Sequence, residues 1–167
     1  MNTIAKFELV SELQFSADWL DKIGGNAAAA KAVYASLRMP CRATAGSAGY
    51  DFFAPIDFTL QPGGTLRIPT GFRVKIQAGW LLAIFPRSGL GFRYRLQLDN
   101  TVGIIDSDYY SADNEGHIMI QMTNAGEKPL TVKAGAGFAQ GIFLPFGLAE
   151  GDEAAGFRHG GFGSTDV

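Results

Sequence analysis

From Arg42 onward the sequence is a succession of short apolar stretches cut apart by glycine, proline and small polar residues. That spacing limits the fold more than any other feature. Thr65 to Ile76 alternates around Leu66, Ile68, Phe72, Val74 and Ile76, the period-2 pattern of a strand with one buried side. Trp80 to Phe85 is a dense apolar run suited to a strand covered on both faces, and Leu130-Thr131-Val132 and Phe138 to Phe146 add further strands. Pro62-Gly63-Gly64 and Ala78-Gly79 supply turns at short intervals. Many short strands with little helix predict an all-β fold, a sandwich or a barrel.

The two ends depart from this texture. Lys6 to Val10 reads as a short strand, and Ser16 is placed to cap a brief helix through Ile23, stopped by Gly24-Gly25. Asn26 caps a better helix, Ala27 to Arg38, which Pro40 cannot extend. This helical insertion, about 16–38, reads as a surface layer packed on the domain or against a partner subunit, with a regulatory or protein-binding role as the alternative. At the other end, 151–167 is glycine-rich yet carries Phe157, Arg158, His159 and Phe162. Termini usually fray, but two aromatics and an arginine favour an arm that orders on a ligand. The expected organisation is one β domain over 1–150 followed by that arm.

With 167 residues, 47% of them apolar, one domain has ample material for its core and buries roughly 70% of its unfolded surface. The net charge of −2 supplies no basic field for nucleic acid or an anionic membrane. Any bound phosphate must be met by local arginines and backbone amides. Cys41 is the one cysteine, so no intrachain disulfide forms and a reducing compartment fits. The N-terminus lacks the apolar core of a signal peptide, and no run of 18 apolar residues marks a membrane span. A cytoplasmic protein is expected.

Four stretches carry possible chemistry. Ala45-Gly46-Ser47-Ala48-Gly49-Tyr50-Asp51 allows a tight turn, with Asp51 as an acceptor for neighbouring groups. In Pro86-Arg87-Ser88-Gly89-Leu90-Gly91 proline redirects an apolar strand. Arg87 then offers forked donors, Ser88 a hydroxyl and Gly89 a backbone without side-chain bulk. The third stretch, Asn100-Thr101-Val102-Gly103-Ile104-Ile105-Asp106-Ser107-Asp108-Tyr109, runs through β-formers into two carboxylates and an aromatic ring. With a turn over Ser111 to Gly116 and a returning strand from His117 to Met122, it reads as a β-hairpin with its polar groups at one end. In an extended strand Asp106 and Asp108 face the same side. They fit a metal pair, a general base with a structural partner, or two solvated acids. Last, Gly135-Ala136-Gly137-Phe138-Ala139-Gln140 places an amide in an apolar strand. His117 and His159 have no companion at ligand spacing, which argues against zinc.

In this order, together with Arg158 to Thr165, these stretches resemble the five motifs of the homotrimeric deoxyuridine triphosphatase (dUTPase) family, the third being the most specific. The resemblance implies a jelly-roll-like β fold and hydrolysis of dUTP to dUMP and pyrophosphate by water attack on the α-phosphorus. Asp106 matches the general base. Uracil is expected on the main chain of Gly103, Ile104, Ile105 and Met119 and on the Asn100 amide, with Tyr109 against the deoxyribose. Arg87, Ser88, Gly89 and Gln140 match phosphate-binding positions. In the arm, Phe162 would stack on uracil, with Arg158, Gly163 and Ser164 near the phosphates. Mg²⁺ is implied as cofactor, held through the triphosphate and waters rather than by protein ligands. The active sites are implied to be shared among three subunits.

This chain departs from the family pattern in places. Ala136 and Gly137 stand where an acid and an arginine are usual, and Arg158 lies one residue closer to Gly160-Gly161. The Ser111–Gly116 turn is long, and the helical insertion is extra. Two alternatives share parts of the reading. A dCTP deaminase of the same fold would want a glutamate in the returning strand, where Gln121 stands. A nucleotide-sensing protein would use the arm or the Ala27–Arg38 helix to bind a partner.

Overall fold

The alternation along Thr65–Ile76 is broken once in space though not in pattern. It folds into β5 and β6, which belong to different sheets, and the chain crosses between them at Thr70-Gly71, where Gly71 takes a left-handed φ of 81°. The computed structural model describes residues 2–156. Its elements are β1 (Ala5–Leu9), α1 (Glu12–Lys22), α2 (Ala27–Ser36), β2 (Cys41–Arg42), β3 (Tyr50–Phe53), β4 (Phe58–Leu60), β5 (Thr65–Pro69) and β6 (Phe72–Ile76). They continue with β7 (Trp80–Pro86), α3 (Ser88–Tyr94), β8 (Leu96–Leu98), β9 (Gly103–Ile105), a 3₁₀ turn at Ser107–Ser111, β10 (Met119–Asn124), β11 (Leu130–Val132) and β12 (Gly137–Pro145).

The architecture is all-β and jelly-roll-like, with every strand pair antiparallel. A five-stranded sheet in the order β2-β3-β12-β7-β9 faces a three-stranded sheet, β5-β10-β8, with the pairs β1-β6 and β4-β11 completing the layers. Phe52, Ile84, Ile105, Phe138 and Ala139 from the larger sheet meet Ile68, Leu96, Ile120 and Met122 from the smaller in one buried cluster. At roughly 2 kcal/mol per fully buried large side chain, this interior supplies the main driving force for the fold.

The helical insertion forms, with shifted limits. The first helix begins at Glu12 and is capped by Ser11, whose Oγ accepts from the Gln14 amide at 3.1 Å; Ser16 lies inside the helix. Asn26 caps α2 as expected, and that helix ends at Ser36. The two helices enclose a second, smaller apolar cluster of Val10, Phe15, Trp19 and Ala30, with Val33, Tyr34 and Leu37 packed against it. A Cβ on Gly71 would stand 2.2 Å from Leu37 Cδ1, so this layer sits directly on the β5–β6 crossing.

The expected hairpin is not a hairpin. β9 pairs with β7, whereas β10 pairs with β5 and β8 in the other sheet. The connection over 106–118 is too long to fix a two-strand register and is organised by a buried anchor instead. Tyr109 is 1% exposed; its hydroxyl donates to the His117 carbonyl at 2.8 Å and accepts from Asn114 Nδ2 at 2.8 Å. Asp106 caps the 3₁₀ turn and Asp108 lies within it, so the two are not alternate residues of one extended strand. Glu115 (φ 58°) and Gly116 (φ 67°) complete the connection in left-handed backbone. A Cβ on Gly116 would lie 2.6 Å from the Tyr109 carbonyl oxygen, so no side chain fits there.

Candidate functional site

The separation of β9 from β10 opens a cavity of about 470 Å³, within the range of small-molecule sites. β9 is the edge of its sheet. β8 covers only Met122–Asn124 of β10, so among the described residues Met119–Gln121 has no strand partner on that side. Gly103, Ile105, Asn100 and Met119 line the cavity, together with Ile84, Leu98, Ile120 and Gln121. Four of the positions expected to read a pyrimidine are therefore brought together. Gly103 is needed for close packing, since a Cβ there would stand 3.2 Å from the Ile84 Cβ and 3.6 Å from Asn100 Nδ2. Thr101, at φ 62°, makes the tight turn that presents Asn100.

Ile104 and Tyr109 are placed otherwise. Ile104 faces outward at 43% exposure and does not line the cavity, and Tyr109 is buried within the 3₁₀ turn. Half-buried Asp106 directly follows Ile105 at the cavity wall.

A second group gathers at the far end of β7. Arg87 Nη1 donates to Asp51 Oδ2 at 2.5 Å. Gln140 pairs across β12 and β3 with Asp51, and its Nε2 donates to the Pro86 carbonyl at 3.4 Å. Glycines shape this cluster: a Cβ on Gly137 would meet Arg87 Nη1 at 2.6 Å, and one on Gly49 would meet Gln140 Oε1 at 2.6 Å. Arg42 Nη1 donates to the carbonyls of Ala45 and Ser47 and so braces the loop before Asp51. Ser88 and Gly89, expected in a turn, open the short helix α3 because Leu90 and Tyr94, one helical turn apart, both pack on the main core.

Ile84 stands opposite Gly103 and Leu82 opposite Ile105. Arg87 and Asp106 thus leave the β7–β9 pair from opposite ends, roughly 15–20 Å apart at about 3.3 Å per residue. Within one chain, the residues expected to read the base and those expected to bind phosphate form two separate places. Arg158, Phe162, Gly163 and Ser164 lie outside the described residues.

The sequence reading missed one wall of the cavity. Asp18, Asp21 and Lys22, all from α1, line it, as do Arg67 from β5 and Asp99 just after β8. The signal lay in the helix periodicity: Phe15 and Trp19 turn one face inward, which leaves Asp18 and Lys22, four apart, on an adjacent face. Asp18 Oδ2 accepts from Gln14 Nε2 at 2.8 Å and lies 2.6 Å from Nδ1 of His117, which is fully buried. Because the Gly71 amide donates to His117 Nε2 at 2.8 Å, the imidazole is the neutral tautomer with its proton on Nδ1, donated to Asp18. Burial disfavours the Asp18 carboxylate, but hydrogen bonds from His117 and Gln14 outweigh it and hold its pKa below the ordinary value. Gln121, where a deaminase would want an acid, is engaged by Arg67 Nε and Asp99.

Comparison with known proteins follows the same lines. The dUTPase family model matches residues 35–165. The deoxyuridine 5′-triphosphate nucleotidohydrolase of Lactococcus lactis subsp. lactis is 42% identical over 147 residues, covering 86% of this chain and 98% of that protein. The crystal structure of dUTPase from Streptococcus mutans is 32% identical, with a TM-score of 0.63 over 87% of this chain and 98% of that one. A dUTPase from phage phi11 of S. aureus, whose structure shows the coordination of a structural Mg(II) ion, shares the fold at 20% identity and a TM-score of 0.63. It covers 93% of this chain and 99% of that one. The fold is a jelly-roll-like β domain with a small-molecule-sized cavity beside its β9 and β10 strands. The chain belongs to the dUTPase family.

Proposed function

We propose that this protein hydrolyses dUTP to dUMP and pyrophosphate. The observation that carries the reading is the convergence of Asn100, Gly103, Ile105 and Met119 on one cavity, with Asp106 next along the chain. In the gap between β9 and β10, main-chain donors and acceptors can pair with the uracil edge, and close walls leave little room for a 5-methyl group. Tyr109 fixes the floor beneath the sugar, and the Asp106 carboxylate orients and deprotonates the water that attacks the α-phosphorus.

The phosphates fall to Arg87, held by Asp51, with Ser88, Gly89 and Gln140 around it. Since these residues and Asp106 sit at opposite ends of one chain's β7–β9 pair, a complete site needs a second copy, and we assign the working enzyme as a homotrimer with shared active sites. The arm with Arg158, Phe162, Gly163 and Ser164 would close over the nucleotide. Among the described residues no three His, Cys, Asp or Glu are placed to hold a metal ion together; Mg²⁺ would come with the triphosphate and its waters. When bound, that ion would neutralise charge on the departing pyrophosphate. No described helix is long and apolar enough to cross a membrane. The lone, partly buried Cys41 suits a reducing cytoplasm as the place of action.

The test is pyrophosphate release from dUTP with Mg²⁺. The wild-type protein is expected to turn over, and Asp106→Asn to lose roughly 10²–10⁴-fold in kcat, the usual contribution of a general base, while still binding nucleotide. Unchanged turnover in the variant would remove Asp106 from its role.

A further inference from the structure

We infer that helix α1 is part of the substrate site, and that Asp18 binds the nucleoside directly through its second carboxylate oxygen. The inference rests on the dUTP reading and adds to it a contact made by the inserted helix.

Three observations support it. The first is position: Asp18, from helix α1, lines the same cavity as Asn100, Gly103 and Met119. The second is the state of the carboxylate. Both of its hydrogen bonds, from His117 Nδ1 and Gln14 Nε2, use Oδ2, so Oδ1 has no hydrogen-bond partner among the described residues. An acceptor in a half-enclosed cavity with its other oxygen clamped is oriented toward a donor at low entropic cost. The third is the clamp itself. His117 is fully buried, its tautomer is set by the Gly71 amide, and Ser11 at the head of α1 donates through both N and Oγ to the two oxygens of Glu115 at 2.7 and 2.6 Å. The long 111–116 turn and the extra helix, the two places where this chain departs from its family's pattern, are therefore one unit. The turn grips the helix, and the helix completes the cavity.

The chemistry of the contact follows. A carboxylate only accepts, and a deoxyuridine nucleotide offers two donors away from its phosphates, the ring N3–H and the sugar 3′-hydroxyl. In the cavity lining Asp18, Asp21 and Asp99 outnumber Lys22 and Arg67, a net negative charge that disfavours phosphates inside and favours entry base-first.

Asp18→Asn is the decisive variant. The donors on His117 and Gln14 hold the amide oxygen where Oδ2 was, so the NH₂ group takes the place of Oδ1 and presents a donor to a donor. Calorimetric titration of the full chain with dUMP is expected to show about 10-fold or greater weakening. The 3′-deoxy analogue of dUMP separates the two donors. A penalty that vanishes with the analogue places Asp18 on the sugar, and one that persists places it on the ring; either supports the inference. Unchanged dUMP affinity in Asp18→Asn overturns it. Should that variant fold poorly, the wild-type protein supplies the answer by NMR: the amide signals of residues 18–22 shift on addition of dUMP if α1 is a wall of the site, and stay still if it is not. Wild-type protein that neither binds dUMP nor releases pyrophosphate from dUTP would bring down the hydrolase reading as well, an outcome distinct from binding that Asp18 does not affect.

Discussion

The β layers and the helical layer hold together by different means. In the sheets, buried side chains such as Ile84, Ile105, Ile118, Met122 and Phe138 meet across one continuous interior. The helix pair has only a small cluster of its own around Phe15 and Trp19, and besides Leu37 and Phe15 packed at Gly71 it is joined to the β domain by polar clamps: His117 to Asp18, Glu115 to Ser11, and the Tyr34 hydroxyl to the Val10 carbonyl at 2.7 Å. Apolar burial is non-directional and tolerates small shifts, whereas hydrogen-bonded clamps set position closely. A wall that must meet a ligand gains from the second kind of attachment.

This contrast can be broken at its joint. Gly116 is locked by left-handed backbone and by the Tyr109 carbonyl, so Gly116→Ala is expected to cost about 2–4 kcal/mol in urea unfolding and to release the turn that grips α1. A loss below about 0.5 kcal/mol would show that the turn can adopt another backbone without penalty. Next in size, Phe15→Ala empties the small cluster, where aromatic truncation costs about 3 kcal/mol. If the layers are separable, this variant in a Trp80→Phe background shows Trp19 fluorescence changing at lower urea than the sheet signal in circular dichroism. Coincident transitions would mean that the clamps alone make the two layers one cooperative unit.

The clamps also give the contrast a pH signature. Glu115 has its pKa lowered, first by the Ser11 hydroxyl and then by the Ser11 amide, and Asp18 is likewise lowered in net. Groups depressed in the folded state add stability that is full above their unfolded values and is lost as pH falls through the folded ones. Stability should therefore decline below about pH 4.5, and Glu115→Gln should flatten that decline. An unchanged acid limb would show that Glu115 contributes nothing to it. The smallest effect on stability is expected at the Arg87 cluster. A Cβ on Gly137 presses on the mobile end of Arg87, so Gly137→Ala should cost under about 1 kcal/mol and yet raise KM for dUTP several-fold.

The sheets were largely legible because alternation reports directly on a buried face: Ile68, Phe72, Val74 and Ile76 of the Thr65–Ile76 series are buried as expected. Asp51, read only as an acceptor for neighbours, proves to hold Arg87. Strand partnership was not legible. β9 and β10 are close in sequence, but nothing in their composition says that each prefers a partner in another sheet. That choice is made by Tyr109, whose hydroxyl finds its partners only once the 106–118 segment has folded. The wall made by α1 was hidden for a similar reason. Its clamps join residues such as Asp18 and His117, far apart in the chain, and a polar pair at long range leaves no period to read. Ser11, placed outside the expected helix, caps it because Glu115 holds it there.

Crystallisation with dUMP tests the central claim most directly. The account predicts uracil seated between Gly103–Ile105 and Met119–Gln121, with Asp18 within hydrogen-bonding reach of the nucleoside. A nucleotide bound outside that gap, with the β9–β10 cavity filled only by water, would contradict it.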